Sequence, residues 1–224
     1  MMIISDDTSD KVLVVFDVDG TLINEQTQKI FLNILRQERI ATLSDFMILS
    51  FWFIAYKLHI IKDTNYIRNK AYAKLCQRDV SEIKAVIDRH FIRFQEKIFS
   101  ESRHTIQQHR RIGHKVLLCS ASIAPIVEKI CQEFQVQEYL CTELEIIDHK
   151  FTGKIKGRAL YGSEKLARLK EYLQQYQYYQ IWYYTDHISD LKILEMVNIP
   201  ICINPDPKLR KIANSKKWQI YDWK

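Results

Sequence analysis

The sequence predicts an α/β protein of three layers, a parallel sheet between helices, with an all-helical segment inserted after the first strand. Three observations carry this. Short apolar, β-branched runs alternate with longer amphipathic stretches, the pattern of parallel strands joined by crossover helices. Roughly a hundred residues of helical patterning separate the first run from the second, far more than a βα loop takes. Four of the runs end in or beside a polar residue, and in an open α/β sheet such residues converge beyond the carboxyl ends of the strands although they are distant in sequence.

In order, the runs are Lys11 to Asp17, Lys115 to Ser120, Tyr139 to Ile147, Ile181 to Asp186 and Ile199 to Asn204. The first is apolar at consecutive positions, as a strand covered on both faces must be. Within the insertion, Gln28 to Arg39, Leu43 to Ile61, Thr64 to Gln77 and Ser81 to Phe99 each space apolar residues near 3.6. Ser81, and either Asp63 or Thr64, are the expected N-caps. The economical division is a core of residues 1–23 and 106–224 and a helical cap of residues 24–105. A chain of 224 residues suits one core with an accessory subdomain and is too short for two large independent domains. Only 5 Gly and 4 Pro against 47% hydrophobic residues leave little room for disordered linkers.

The net charge of +6 is unevenly placed: Asn24 to Arg110 holds 15 Lys and Arg against 9 Asp and Glu, and the rest of the chain balances. Such an excess is either a solvated helical surface or a field that draws an anionic substrate toward a cleft. No dense basic tract interleaved with aromatics points to nucleic acid, and Tyr176 to Tyr184 reads as a helix end and a buried strand rather than a base-stacking platform. Five widely spaced cysteines without a Cys-x-x-Cys pair suit a reducing cytoplasm. The acidic N-terminus has the wrong polarity for a secretory leader. The uncharged run from Phe46 to Tyr56 is shorter than the roughly 20 residues of a spanning helix. It reads as a buried helix, with an interfacial lipid contact as the alternative. His59, His90, His104, His109, His114 and His149 show no metal-ligand spacing and read as surface or cap residues.

Chemistry concentrates where the first strand ends. Asp17-Val18-Asp19-Gly20-Thr21 places two carboxylates two residues apart in one pocket. With no adjacent Lys or Arg they repel unless a cation lies between them, and hard carboxylate oxygens suit Mg²⁺. Gly20 permits a sharp turn that presents backbone amides to an anion.

This segment resembles the first motif of the haloacid dehalogenase superfamily, Asp-x-Asp-Gly-Thr, and three further stretches resemble the family's other motifs in order: Ser120-Ala121-Ser122, Lys165 in Gly162-Ser163-Glu164-Lys165, and Asp186-His187-Ile188-Ser189-Asp190. Lys165 lies 21 residues before Asp186. Phe151 to Ile155 and Ile199 to Arg210 resemble subclass IB, the phosphoserine-phosphatase-like hydrolases with a helical cap of the C1 type on a Rossmann-like core. The resemblance implies that Asp17 attacks phosphorus to give an aspartyl-phosphate and that Asp19 is the acid and then the base. It places Ser120, Ala121, Lys165, Gly20 and Thr21 on the phosphate, Asp17, Asp19 and Asp186 at Mg²⁺, and Asp190 behind them on a metal-bound water or on Lys165. The substrate it implies is a small phosphorylated metabolite, hydrolysed by a monomer or weak homodimer. Where phosphoserine phosphatases have Ser-Gly-Gly, this chain has Ser120-Ala121-Ser122. Where they place a glutamate for the substrate ammonium, it has Gln26, with Glu25 beside it. A phosphatase of lipid head groups, a phosphotransferase and an idle phospholigand-binding protein remain open as alternatives.

Overall fold

Alternation within the first strand sets the architecture. In β1 (Val12–Phe16) Val14 and Phe16 enter one hydrophobic cluster while Leu13 and Val15 enter another, because successive side chains of a strand point to opposite faces. The computed structural model describes residues 12–42, 44 and 72–224. Its sheet has six parallel strands in the order β3 (Glu138–Thr142), β2 (Lys115–Ile123), β1, β6 (Gln180–Thr185), β7 (Ile199–Ile203) and β8 (Gln219–Tyr221).

Both faces are covered, as a parallel sheet requires. α4 (Ser100–Arg111) and α5 (Ala124–Phe134) bury Ile106, Ile126, Val127 and Ile130 against Val14 and Phe16. On the opposite face α6 (Ser163–Gln175), α7 (Leu191–Leu194) and α8 (Pro207–Lys216) bring Leu169, Ile193, Leu194 and Leu209 onto Leu13, Val15 and Tyr183. Between β1 and α4 come α1 (Thr27–Gln37), α2 (Val80–Arg89) and α3 (Ile92–Gln95). Their apolar stripes, Ile30, Phe31, Ile34, Ile83, Val86 and Phe94 among them, share the first cluster. Lys84 to Glu128 and Lys129 to Asp88, each 2.7 Å, pin α2 to α5.

The expectations hold for β1, β6 and β7 and differ elsewhere in instructive ways. The run from Tyr139 to Ile147 is two strands: β3 joins the main sheet, and β4 (Leu144–Ile147) forms an antiparallel hairpin with β5 (Lys150–Ile155). The hairpin turn is Asp148-His149, both at positive φ (48° and 62°), the geometry of a two-residue turn that matches strand twist. β2 continues three residues beyond Ser120, with irregular pairing to β3 between Cys119 and Ile123. The helix expected from Ser81 to Phe99 breaks at His90 and Phe91 into α2 and α3, and its N-cap is Asp79, with Ser81 inside the first turn. The residues before it meet the hairpin: Phe151 N donates to Arg78 O (2.9 Å) and Val80 N to His149 O (3.0 Å). α4 runs unbroken across the expected 105/106 junction. The helix expected over Leu43 to Ile61 apart from Ser44, residues 64–71 of that over Thr64 to Gln77, Asp63, His59 and the run from Phe46 to Tyr56 lie outside the described residues, while the described end of the second holds a 3-10 turn, Ala73–Leu75, rather than an α-helix. Among the described residues no helix is long and apolar enough to cross a membrane. All five cysteines are free thiols.

His109 corrects the reading of the histidines as surface or cap residues. Its ring is buried between α4 and the sheet, 2.9 Å from Tyr184 Oη and 2.9 Å from His114 Nδ1, and edge-on to Phe16 and Trp182. Burial, reinforced by His114, pushes its pKa down to about 4. A depressed histidine pKa means that the unfolded chain binds the proton first. The stabilisation is therefore complete above the unfolded value and is lost as pH falls from about 6.5 toward about 4. Denaturant unfolding should show roughly 2 kcal/mol lost between about pH 7.5 and about pH 5 from this group, and His109→Gln should flatten that limb. An unchanged limb in the variant would assign the acid sensitivity to other groups.

Candidate active site

Asp17 is the first residue past β1, and its amide donates to Tyr184 O of β6 at 2.9 Å. The chain then closes a tight loop: Gly20 N donates to Ile23 O (2.8 Å), Leu22 N to Val18 O (2.9 Å) and Thr21 N to Val18 O (3.3 Å). The Gly20 and Thr21 amides, expected to face an anion, are therefore spent inside the loop, and these residues shape it rather than offer donors. Gly20 has φ +79°, and a Cβ built there would lie 2.1 Å from Asp186 Oδ2. Glycine is required on both counts. Its missing side chain is what lets the Asp186 carboxylate close on the first loop, where Thr21 Oγ1 reaches it at 3.5 Å.

Lys165, in the first turn of α6, is 3% exposed and donates to Asp17 Oδ1 at 2.9 Å and Asp190 Oδ2 at 2.8 Å. Burial alone would lower its pKa, but Asp17 and Asp190 overcome this and hold it well above the ordinary lysine value. Asp190 is 1% exposed, and Tyr183 Oη (2.9 Å) and Thr185 Oγ1 (3.0 Å) donate to the same Oδ2. Lys165 and Asp190 are thus both buried parts of one hydrogen-bonded group.

The Asp17 and Asp186 carboxyls are both pushed above the usual range. For Asp17 the causes are burial, opposed by Lys165 and reinforced by Asp190 and Asp19; for Asp186 they are burial and then Asp17. Two acids that resist ionising side by side fit a hard divalent cation, which would relieve both. Among the described residues no three His, Cys, Asp or Glu side chains form a metal-holding group. The Asp19 carboxylate turns to the head of α1, accepting from Thr27 N at 2.5 Å. Two carboxylates completed by water and substrate oxygens is an ordinary Mg²⁺ arrangement.

Ser120 is fully buried, and its Oγ accepts from Ser122 N at 3.0 Å. Its hydroxyl proton is left to donate elsewhere. The Ala121 carbonyl accepts from Thr142 Oγ1 at 2.8 Å. Ser122 Oγ accepts from Thr27 Oγ1 at 2.9 Å. Glu25 is folded onto Lys29 (3.1 Å), and Gln26 is exposed at the N-cap of α1. The structure thus gathers Asp17, Asp186, Lys165 and Asp190, and leaves Glu25 and Gln26 aside.

Sequence reasoning missed Thr27, Tyr183, Thr185 and Asp206. Asp206 donates its amide to Asp186 O (2.8 Å), accepts from Ile188 N (2.6 Å) and caps α8 through Lys208 N and Leu209 N. It locks the loop that carries Asp186. The signal was present in Asn204-Pro205-Asp206-Pro207, since Asp before a helix-opening proline is an N-cap pattern.

The model of the haloacid dehalogenase-like hydrolases matches residues 14–195. A phosphoserine phosphatase of Mycobacterium tuberculosis is 27% identical over 217 residues, covering 93% of this chain and 70% of that protein. A histidinol-phosphatase of Neisseria meningitidis is 29% identical over 128 residues, covering 54% of this chain and 58% of that protein. A solved structure of a Bordetella pertussis protein of unknown function superposes with TM-score 0.87 at 23% identity, covering 95% of this chain and 99% of the other. With all four motifs brought to one end of a parallel sheet and the family's pattern spanning most of the sequence, the chain belongs to the haloacid dehalogenase-like hydrolases.

Proposed function

We propose that this hydrolase is a phosphomonoester phosphatase that works through an aspartyl-phosphate on Asp17. The observation that carries the reading is the buried Asp17 carboxylate, ion-paired to Lys165 and crowded by Asp186 at the mouth of the sheet. Asp17 attacks phosphorus, and Asp19 protonates the departing alkoxide and then takes a proton from the water that hydrolyses the acyl phosphate. Lys165 and the Ser120 hydroxyl hold the equatorial oxygens, while Asp190 fixes Lys165. Mg²⁺ would be held by Asp17, Asp19 and Asp186, and would neutralise phosphoryl charge. Residues 24–105, ending within α4, are proposed as the cap, and the free cysteines support a cytoplasmic setting.

The substrate is proposed to be a small, soluble phosphorylated metabolite. Relatives with different named substrates support the class without choosing within it. Glu25 is neutralised by Lys29 and Gln26 faces solvent, so neither offers the free negative charge that an amino-acid ammonium would seek. Phosphate release over a panel of phosphomonoesters with Mg²⁺ should therefore rank phosphoserine below other compounds. Phosphoserine as the best substrate would overturn the specificity, and no release from any compound would overturn the activity. Asp186→Ala should raise the Mg²⁺ concentration needed for half-maximal rate. An unchanged titration removes Asp186 from the metal.

A further inference from the structure

The Asp19 carboxylate is held by a residue eight positions away that belongs to none of the four motifs. Thr27 is the first residue of α1, and the Gln26 N-cap offers that helix no side-chain acceptor. The Thr27 amide donates instead to Asp19 Oδ1 at 2.5 Å, so the acid serves as a remote cap for a helix end that otherwise lacks one. The Thr27 side chain is fully buried, and its hydroxyl donates to Ser122 Oγ at 2.9 Å. Ser122 is also fully buried, and its amide donates to Ser120 Oγ at 3.0 Å. One unbroken chain of hydrogen bonds therefore runs from Asp19 through Thr27 and Ser122 to Ser120. It joins the loop after β1, the head of α1 and the irregular stretch of β2 between Cys119 and Ile123.

We propose that Thr27 and Ser122 are positioning residues, a buried hydroxyl bridge that sets the acid/base Asp19 at a fixed distance from the phosphate-side hydroxyl of Ser120. This rests on the reading of Asp19 as the proton donor. Both backbone contacts at the ends of the bridge survive loss of the hydroxyls, but the link between them does not. Without it, α1 and the β2 bulge are free to shift against each other, and a proton donor displaced by a fraction of an ångström loses much of its effect. The consequence is specific to the chemistry. Protonation of the leaving oxygen matters for a strongly basic alkoxide and matters little for a weakly basic phenolate.

The test is kcat/KM, which reports only steps through phosphoryl transfer to Asp17, for an alkyl phosphomonoester and for 4-nitrophenyl phosphate. Thr27→Val and Ser122→Ala should each lower the alkyl value by about tenfold or more, within the range general acids contribute. The 4-nitrophenyl value should stay within about threefold, and Thr27→Ser, which keeps the hydroxyl, should restore the alkyl rate. Asp19→Asn provides the reference pattern. If it produces no leaving-group-dependent loss, the reading of Asp19 fails and the inference with it. If Asp19→Asn shows the loss but Thr27→Val and Ser122→Ala lower both substrates equally or neither, the bridge alone is overturned. Should Thr27→Val not fold, Ser122→Ala breaks the same bond from the other side and decides the question.

Discussion

Asp17→Asn is expected to remove essentially all turnover, by roughly four orders of magnitude or more, the scale on which enzymes lose rate when a nucleophile is deleted. The fold should survive. Asparagine matches the carboxylate in shape, and burial already disfavours the charged form of Asp17, so neutralising the position relieves rather than creates strain at the sheet end. The variant still offers Lys165 an oxygen acceptor, which separates nucleophilicity from charge pairing. Steady-state phosphate release should fall to background while the unfolding midpoint moves by no more than about 1 kcal/mol. Turnover within a hundredfold of the parent would sink the covalent mechanism.

Lys165→Met is expected to give the largest loss of stability. The lysine sits between two buried carboxylates, 2.9 Å from Asp17 and 2.8 Å from Asp190. Removing the cation leaves both largely buried acids without their counterion, and breaking a buried pair from one side costs about 3–5 kcal/mol. The origin of that cost can be isolated. Adding Asp190→Asn to Lys165→Met neutralises one stranded acid, and the double variant should recover part of the loss. Urea unfolding at constant m-value measures it, and the non-additivity of the pair gives the coupling directly. A single variant within about 1 kcal/mol of the parent would mean that Lys165 is not what balances the site.

The strand ends were legible because their signals are local. A fully apolar run closing on Asp17 needs no tertiary knowledge to be read as a buried strand, Asp186 closes another such run, and Lys165 follows from the resemblance to the family's third motif. What escaped depends on partners distant in sequence. The split of Tyr139 to Ile147 turns on which strand each half finds, and alternation cannot tell a sheet from a hairpin. β8 is three residues long, with Ile220 partly buried between the exposed Gln219 and Tyr221, too short to show a period. His109 sits on a polar helix and is buried only because Tyr184 and His114 meet it there. Asp19 is the clearest case: its motif identifies the residue, but the direction of its carboxylate is set by Thr27, whose amide is free because Gln26 supplies no side-chain cap.

The order of the strands also bears on when activity can arise. Val12 pairs with Gln180 and Phe16 with Tyr184, 168 positions apart, so one edge of the strand carrying Asp17 must wait for a segment made much later. Pairings this distant in sequence are closed late and slowly, because the entropy of the long loop has to be overcome before the contacts repay it. Until β6 docks, Asp17 has no neighbour in Asp186 and Lys165 has no Asp190. The mutual repulsion of the acids therefore cannot oppose the early stages of collapse. A nascent chain that stops short of β6 is a scaffold without chemistry, and catalytic competence arrives only when the strand leading to Asp186 closes the sheet.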